Sequence, residues 1–430
     1  MSDEAAIARL SVYIDGDCIG TLHRTDPLSF TYTPAWLDRK GAVALHPSIP
    51  LAPGIQQSPV VHAFFENLLP EGDQRRIIGM RHHVTSVFGL LALAGGDTAG
   101  AVVLVPEGQV PEPPAYQPLT WEQVNALLYT NGDFVKERQA IEAAAAGLPR
   151  PRLSISGAQL KLLLSLDADG MPLRPMGNSP STHILKPDIV RSDLKLFATA
   201  VNETIVMHAA QLCELPAARV AYQPQTKACL VERYDRKPRA DGSLARLWQA
   251  DFCQIDGKPS DVKYELDGGP SLKTCFDIVR RESVQPAVDQ RQLLRWVFFN
   301  LYVGNNDSHA KNLSLLATPD GLRLAPFYDM MSTRVYSGLA SHFAFRIGGE
   351  NEPGQLGPAH LKALAAELRM SPRFVTAIAQ QVAAQVEAAI PQAAEWVMRD
   401  LGPSEQVMGE RLQHKIRAIV TRMRARLLEP

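Results

Sequence analysis

The stretch NLYVGNNDSHAKNLSLL, Asn300 to Leu316, decides the reading of this chain, because it sets two Asn, an Asp, a His and a Lys between Asn306 and Asn312, directly after an apolar run. Upstream, QLLRWVFFNLYV from Gln292 to Val303 is apolar on nearly every helical face, which predicts a helix buried all round. Downstream, LSLLATPDGLRLAPFYD reads as two short strands joined by a turn at Thr318 to Gly321, where Pro, Asp and Gly supply a preset φ, local hydrogen bonding and a positive φ. The polar cluster is thus a loop between a rigid helix and a hairpin. Alone, such a loop is ordinary, since Asn, Asp, Ser and Gly favour loops anyway.

Spacing gives the loop chemical content. Asp307 is followed five residues on by Asn312, and the hairpin ends at Asp329. This is a carboxylate, an amide and a second carboxylate in the order used by protein-kinase active sites. A hydroxyl attacking a γ-phosphate needs an acceptor for its proton, and Mg²⁺ on the triphosphate needs hard oxygen ligands. Asp307 suits the first need, Asn312 with Asp329 suits the second, and Lys311 is placed to aim its charge at the transferring group. A lone Asp-x-x-x-x-Asn is frequent by chance, so the rest of a nucleotide site has to lie upstream. RLSISGAQLKLLL, Arg152 to Leu164, holds a small-residue turn between apolar alternations, a hairpin whose backbone N–H groups suit phosphates. THILKPD sets Lys186 at the end of a short β-type run, within reach of α- and β-phosphates. VNETIVMHAAQLCELP predicts a helix with Glu203 one turn from its start, either orienting Lys186 or favouring the helix N-terminus electrostatically. KACLVERYDR predicts a strand running into a charged bend at Glu232 to Arg236, where a hinge between two lobes falls.

In that order, SISGAQLK, THILKP, VERYDR, KYELDGGP, GNNDSHAKN and APFYDMMST resemble the HipA-type serine/threonine kinases, the toxin components of bacterial toxin–antitoxin pairs. FFENLLPEGDQRR and LLALAGGDTAGAVVL are similar to that family's N-terminal subdomain. The resemblance implies an α+β, bilobal protein-kinase-like fold with a small N-terminal α/β subdomain and an all-helical C-terminal part. Its divisions are residues 1–107 for the N-terminal subdomain, 108–150 for a Pro-rich linker and helix, 151–236 for the small lobe with the ATP-binding loop, and 237–430 for the large, mainly helical lobe. It implies ATP and Mg²⁺ as cofactors, with Asp307 as the catalytic aspartate, Asn312 and Asp329 as Mg²⁺ ligands and Lys186 as the ATP lysine. Ser156, Gly157, Ala158, Gln159 and Lys161 fall on the phosphate-binding loop, Glu232 and Tyr234 on the adenine-contacting hinge, and His309 and Lys311 on the nucleotide-facing catalytic loop. Ser154 matches the family's autophosphorylated serine. The implied partners are a HipB-like helix-turn-helix antitoxin, operator DNA mainly through that antitoxin, and a protein substrate such as an aminoacyl-tRNA synthetase. Asn306 precedes Asp307 where many eukaryotic-type kinases carry Arg, which argues against control by an activation-loop phosphate docking there. Two other functions compete: a small-molecule phosphotransferase with the same acid, amide, acid geometry, and a catalytically quiet co-repressor of an antitoxin.

Composition bounds these readings. With 430 residues, 46% of them hydrophobic, the chain buries a large core and predicts two or three domains. It has no run of eighteen apolar residues, and MSDEAAIARL lacks the basic start and apolar core of a signal peptide, so a cytoplasmic protein without a membrane role is expected. Cysteines at 18, 213, 229, 253 and 275 form no CxxC pair and predict reduced core residues. A net charge of −1 gives no general electrostatic reason to bind nucleic acid. PEGQVPEPPAYQP, Pro106 to Pro118, reads as a stiff connector, and Thr120 with Gln123 as a capping box opening the next helix. Ahead of it, RLSVYIDGDCIGTLHR alternates about a Gly-containing turn, and SPVVHAFFENLLPEG reads as a short helix with a Ser N-cap. Glu66 and Asp97 have no acid/base partner in sequence there, so structural or contact roles are expected. RLQHKIRAIVTRMRARLL sets Ile416, Ile419, Val420, Met423 and Leu427 at helical spacing, leaving Arg and Lys on the other faces, either to touch DNA phosphates within a repressor complex or, as is commoner, to be solvated.

Overall fold

The computed structural model describes residues 7–129, 161–189, 194, 196–399 and 401–428. Alternation about Gly16 produces an antiparallel pair, Arg9–Ile14 with Asp17–His23, through a turn in which Asp15 and Gly16 both take positive φ. That pair seeds a five-stranded antiparallel sheet in the spatial order Gln56–Gln57, Ser29–Tyr32, Asp17–His23, Arg9–Ile14, Val102–Pro106. The helix Pro59–Glu66 starts where Ser58 accepts the Val61 N–H, as its sequence predicts, and packs against the sheet. Phe30, Phe64 and Phe65 interlock beneath it, with centroids 5.3 Å apart for Phe64–Phe65 and 5.9 Å for Phe30–Phe65. Each such aromatic pair adds about 0.5–1.5 kcal/mol to simple burial.

The second layer is a six-stranded antiparallel sheet in the order Val220–Gln223, Ala228–Glu232, His183–Pro187, Leu162–Leu166, Pro172–Met176, Ala115–Pro118. The last of these comes from the stretch read as a connector. From Ala115 on it is an edge strand of this sheet, the position where a ladder tolerates proline. The helix Trp121–Tyr129 carries the expected capping box, with Thr120 and Gln123 exchanging side-chain and backbone bonds. It packs Val124 and Leu128 against Leu164, Leu185 and Leu230. Behind the sheet lies the helix Thr199–Leu212, buried over most of its length.

The large lobe is centred on the helix Pro286–Val303, whose residues from Leu293 onward are all buried, as the apolar run requires. It stops at Gly304, where φ is +72° and an added Cβ would lie 2.8 Å from Ile419 Cδ1. The expected hairpin follows as Ser314–Thr318 and Gly321–Leu324, with Gln249–Asp251 as a third strand. Three helices, Pro358–Leu368, Pro372–Met398 and Pro403–Leu428, complete the chain, and the last buries Ile416, Ile419, Val420, Met423 and Leu427 while Lys415, Arg417, Arg422 and Arg426 stay exposed. The five cysteines are free, four of them buried. No helix among the described residues is long and apolar enough to cross a membrane. The architecture is the expected α+β, bilobal one with a small N-terminal unit.

The N-terminal unit is fastened to both lobes by buried polar groups. Asp97 accepts from Arg236 Nη2 at 2.8 Å, Arg233 Nη1 at 3.3 Å, Arg246 Nη2 at 3.3 Å and Ser181 Oγ at 2.6 Å. Asp235 takes the Gly100 N–H at 2.7 Å and both outer nitrogen edges of the neighbouring arginines. Glu66 accepts from the backbone and hydroxyl of Ser260 at 2.9 and 2.7 Å and pairs with Arg75. The charged bend at Glu232 to Arg236 is therefore not a solvated one: Arg233, Asp235 and Arg236 are buried, and Glu232 alone of the four charges is exposed. Burial works against the Asp235 carboxylate, but Arg233 and Arg236 outweigh it and hold its pKa down to about 2.

Candidate active site

The polar cluster after the buried helix is a loop that bonds to itself around Asp307. Asn300, fully buried in the last turn of the helix, gives its amide to the Trp296 carbonyl and receives Asn305 Nδ2 at 2.8 Å. Asn305 Oδ1 in turn accepts the Asp307 N–H at 3.2 Å, and Asn312 Nδ2 reaches the Asp307 carbonyl at 3.3 Å. Asn306 is spent on holding the loop to the chain beyond Asp329, through Thr333 Oγ1 and the Ala340 carbonyl. The helix thus fixes the backbone of Asp307 through a relay of two amides, Asn300 and Asn305, and Asn312 holds the Asp307 carbonyl separately. Within Leu301 to Asn312 every residue is buried except Asp307, which is half-buried.

Lys186 stands at the centre of a second group. Its Nζ lies 2.5 Å from Glu203 Oε1 and 2.7 Å from Asp329 Oδ1, so the helix glutamate does orient the strand lysine. Burial disfavours the ammonium, but Asp329 and then Glu203 outweigh it and keep the Lys186 pKa above that of an ordinary lysine. The reverse holds for Asp329, which burial would raise and which Lys186 and Lys161 pull well below the usual carboxylate range. Asp329 has φ of +59°, a left-handed conformation that costs a non-glycine residue about 1–3 kcal/mol and persists only where its surroundings over-determine it. The ion pair supplies that constraint.

Lys311 differs from its expected pose. It is turned into a third group, 2.6 Å from Asn67 Oδ1, 2.6 Å from Asp251 Oδ2 and 3.8 Å from Glu71 Oε1. Asp251 shares its other oxygen with the N–H of Gln254, as the N-cap of a short helix. Glu71 also binds Lys263 at 2.6 Å, and the two lysines, Lys311 first, outweigh its burial and hold its pKa at about 2. His309, buried between these groups, is driven well below the ordinary imidazole pKa by burial and then by Lys263, so it is neutral at pH 7.

These groups share one cavity of about 520 Å³. Its wall includes Lys161, Lys186, Glu232, Tyr234, His309, Lys311, Asn312 and Asp329, eight of the residues singled out in sequence. Tyr234 and Tyr328 face each other there with centroids 6.1 Å apart, a flat aromatic corner beside the Glu232 strand end. Asp307 lies beside this wall rather than on it, joined to it through Asn312 and through His309, which meets the ring of Tyr264 edge-on at 5.0 Å. Ser154, Ser156, Gly157, Ala158 and Gln159 lie outside the described residues. The wall also contains residues that sequence reading passed over: Asn67, Glu71 and Thr98 of the N-terminal unit, and Asp251. The Asp-x-x-Gln cap at Asp251 was visible in sequence; the contacts of Asn67 and Glu71 left no local signal.

Comparison with known proteins agrees with this geometry. A family model described as HipA-like C-terminal domain matches residues 153–390, and one described as HipA N-terminal domain matches residues 10–105. The chain belongs to the HipA family. This HipA-family chain is 39% identical over 347 residues to "Putative kinase Y4mE" of Sinorhizobium fredii, covering 79% of this chain and 80% of the relative. It is 28% identical over 397 residues to the serine/threonine-protein kinase toxin HipA of Shewanella oneidensis, covering 89% and 86%. In three dimensions it is similar to the HipA chain of a solved Shewanella oneidensis complex of HipA, HipB and operator DNA, with a TM-score of 0.79, 26% identity and 97% of each chain covered. Kinase character is therefore supported for the family as a whole.

The residues present fit a nucleotide with a hard cation. Asn312 gives its amide nitrogen to the loop, and no hydrogen bond to its oxygen occurs among the described residues, while Asp329 adds a carboxylate held in its charged form. Two oxygen donors beside two lysines on one cavity wall suit Mg²⁺, which is held by one or two protein oxygens plus phosphates.

Proposed function

We propose that this chain is an ATP- and Mg²⁺-dependent serine/threonine protein kinase that acts as the toxin of a toxin–antitoxin pair. The observation that supports this most is the Lys186–Glu203–Asp329 cluster on the same cavity wall as Asn312, with the catalytic-loop Asp307 fixed beside it. Lys186 and Lys161 hold the phosphates, Asn312 and Asp329 hold the metal, and Tyr234 with Tyr328 gives the base a flat surface. Bound Mg²⁺ and ATP supply the electrophilic γ-phosphoryl group. Asp307 orients the attacking serine or threonine hydroxyl and takes its proton on a carboxylate oxygen, a contribution of about 10²- to 10⁴-fold for general-base catalysis. Neutral His309 adds no charge to the site.

The partner is a HipB-like helix-turn-helix antitoxin that carries the operator contacts, in keeping with a net charge of −1 and with the complex to which the fold is similar. The substrate is a protein of the translation machinery, such as an aminoacyl-tRNA synthetase, and the chain also phosphorylates itself at Ser154. These finer assignments rest on the family resemblance, and a cytoplasmic setting is the reading that goes with them. Incubation with γ-labelled ATP, first alone and then with cell lysate, is the test. Labelled protein that disappears with Asp307→Asn is expected; a labelled metabolite points to a small-molecule phosphotransferase, and no transfer points to a co-repressor without catalysis.

A further inference from the structure

The segment KYELDGGP, Lys263 to Pro270, has no role in the scheme above, yet its structure is closely specified. Gly269 gives its N–H to the Tyr264 carbonyl at 2.9 Å, and a Cβ there would lie 2.6 Å from the Val262 oxygen and 2.8 Å from Lys263 C and Tyr264 O. Gly268 takes φ of +88°, and Glu265 is anchored by the Arg346 N–H at 2.9 Å. No other residue type fits the backbone at Gly269. The turn presents two consecutive side chains to the catalytic loop. Tyr264 gives its hydroxyl to Asp307 Oδ1, and Lys263 binds Glu71 of the N-terminal unit at 2.6 Å. The Tyr264 ring is held between the edge of His309 and the Lys263 ammonium, which stands 5.8 Å from its centroid.

We propose that Tyr264 is a positioning residue for Asp307, and that Glu71 of the N-terminal unit holds it in place through Lys263. This rests on the kinase reading of Asp307 given above. The amide relay acts on the backbone of Asp307, and the orientation of its carboxylate needs side-chain contacts of its own. A phenol bonded to Oδ1 supplies such a contact and restricts the rotation of the carboxylate that meets the substrate hydroxyl. Because a phenol keeps its proton far above neutral pH, it orients the carboxylate without competing for the proton in transfer. Geometric control of this kind is worth much, since a displacement of about 1 Å at a reacting group costs on the order of 10²-fold. The N-terminal unit then completes the phosphoacceptor side of the active site.

Tyr264→Phe keeps the ring and its packing, so it separates positioning from structure. In the full-length chain, label transfer from γ-labelled ATP to lysate protein is expected to slow by about tenfold to a hundredfold. Affinity for a non-hydrolysable ATP analogue is expected to stay within about twofold, because Tyr264 is not on the nucleotide cavity wall. Transfer at the wild-type rate, or faster, overturns the proposal. Glu71→Gln is expected to slow transfer less, and to add little when combined with Tyr264→Phe, because both act on Asp307 through one chain of contacts. Full multiplication of the two effects removes Glu71 from the proposal. Wild-type protein and Asp307→Asn run in parallel: if neither transfers label, it is the kinase reading that fails. A crystal structure of Tyr264→Phe then decides the positioning claim without turnover, a rotated Asp307 carboxylate supporting it and an unmoved one refuting it.

Discussion

Lys186 and Lys311 are both buried ammonium groups held by carboxylates on one cavity, yet they are assembled from different parts of the chain. Lys186 draws on Glu203, 17 positions away, and on Asp329, both within the kinase lobes. Lys311 draws on Asp251, 60 positions away, and on Asn67, 244 positions away in the N-terminal unit. Burying ions costs several kcal/mol each, so either lysine is tolerable only with its full set of partners. The Lys186 group lies on the cavity wall, and the Asp329 side chain is 20% exposed there. The Lys311 ammonium is spent on protein oxygens, with hydrogen bonds to Asn67 and Asp251 and Glu71 at 3.8 Å. One lysine is paired within the kinase lobes, while the other joins them to the N-terminal unit.

The largest expected effect tests the first half of that contrast. Lys186→Met strands Glu203 and Asp329 in a buried site, which costs about 3–5 kcal/mol for a broken buried pair, and it removes the phosphate-facing cation. ATP-analogue binding measured by calorimetry is expected to be lost, with a lowered urea midpoint. Lys311→Met is expected to give nearly the same fall in stability, about 3 kcal/mol, because Asp251 loses the one ammonium paired with it among the described residues while Glu71 keeps Lys263. Here nucleotide affinity is expected to change by no more than about threefold. If both variants lose binding equally, Lys311 is a nucleotide ligand after all and the contrast collapses.

A smaller effect comes from pH. Asp235 has its pKa lowered from 3.8 to about 2 by Arg233 and Arg236 acting against burial. A depressed carboxylate pKa stabilises the fold fully above the unfolded value, and the contribution fades as pH falls from about 4 to about 2. A shift of this size corresponds to about 2 kcal/mol. Urea unfolding at pH 7 and pH 3 is expected to show a stability difference that shrinks in Asp235→Asn. An identical pH dependence in the variant would locate the acid sensitivity elsewhere.

What sequence could show follows from the same contrast. The hairpin about Gly16, the Ser58 cap, the Thr120–Gln123 box and the buried helix ending at Gly304 are local, because a turn or cap is decided by neighbours within a few residues. The acid, amide, acid order was legible as a spacing, and the pairing of Lys186 with Glu203 was one of two readings of that glutamate, which the 2.5 Å contact decides. The burial of the Glu232–Arg236 bend was not legible, since sequence shows the charges of Arg233 and Arg236 but not that Asp97 answers them from 136 and 139 positions away. Asn67, Glu71 and Tyr264 escaped for the same reason: an Asn in a helix end, a Glu at a helix start and a Tyr in a turn are ordinary until the fold brings Lys311, Lys263 and Asp307 beside them.

The smallest effect tests whether the seam and the nucleotide site are independent. Gly100 has φ of +83°, gives its N–H to Asp235 at 2.7 Å, and would place a Cβ 3.0 Å from Gln249 Cγ and 3.1 Å from the Gln249 backbone. Alanine there takes a left-handed conformation at a cost of about 1–2 kcal/mol, and it also crowds Gln249, so Gly100→Ala should lower stability by about that much. Asp235 and Arg233 meet the N-terminal unit at this point, whereas Lys186, Glu203 and Asp329 are bonded to one another and not to Gly100. Calorimetry with an ATP analogue is therefore expected to give an affinity within about twofold of wild type, since sites without shared partners behave additively. A fall in affinity that tracks the loss of stability would show that strain at the seam reaches the Lys186 group, most directly through Asp235, which accepts the Gly100 N–H and lies on the same cavity wall.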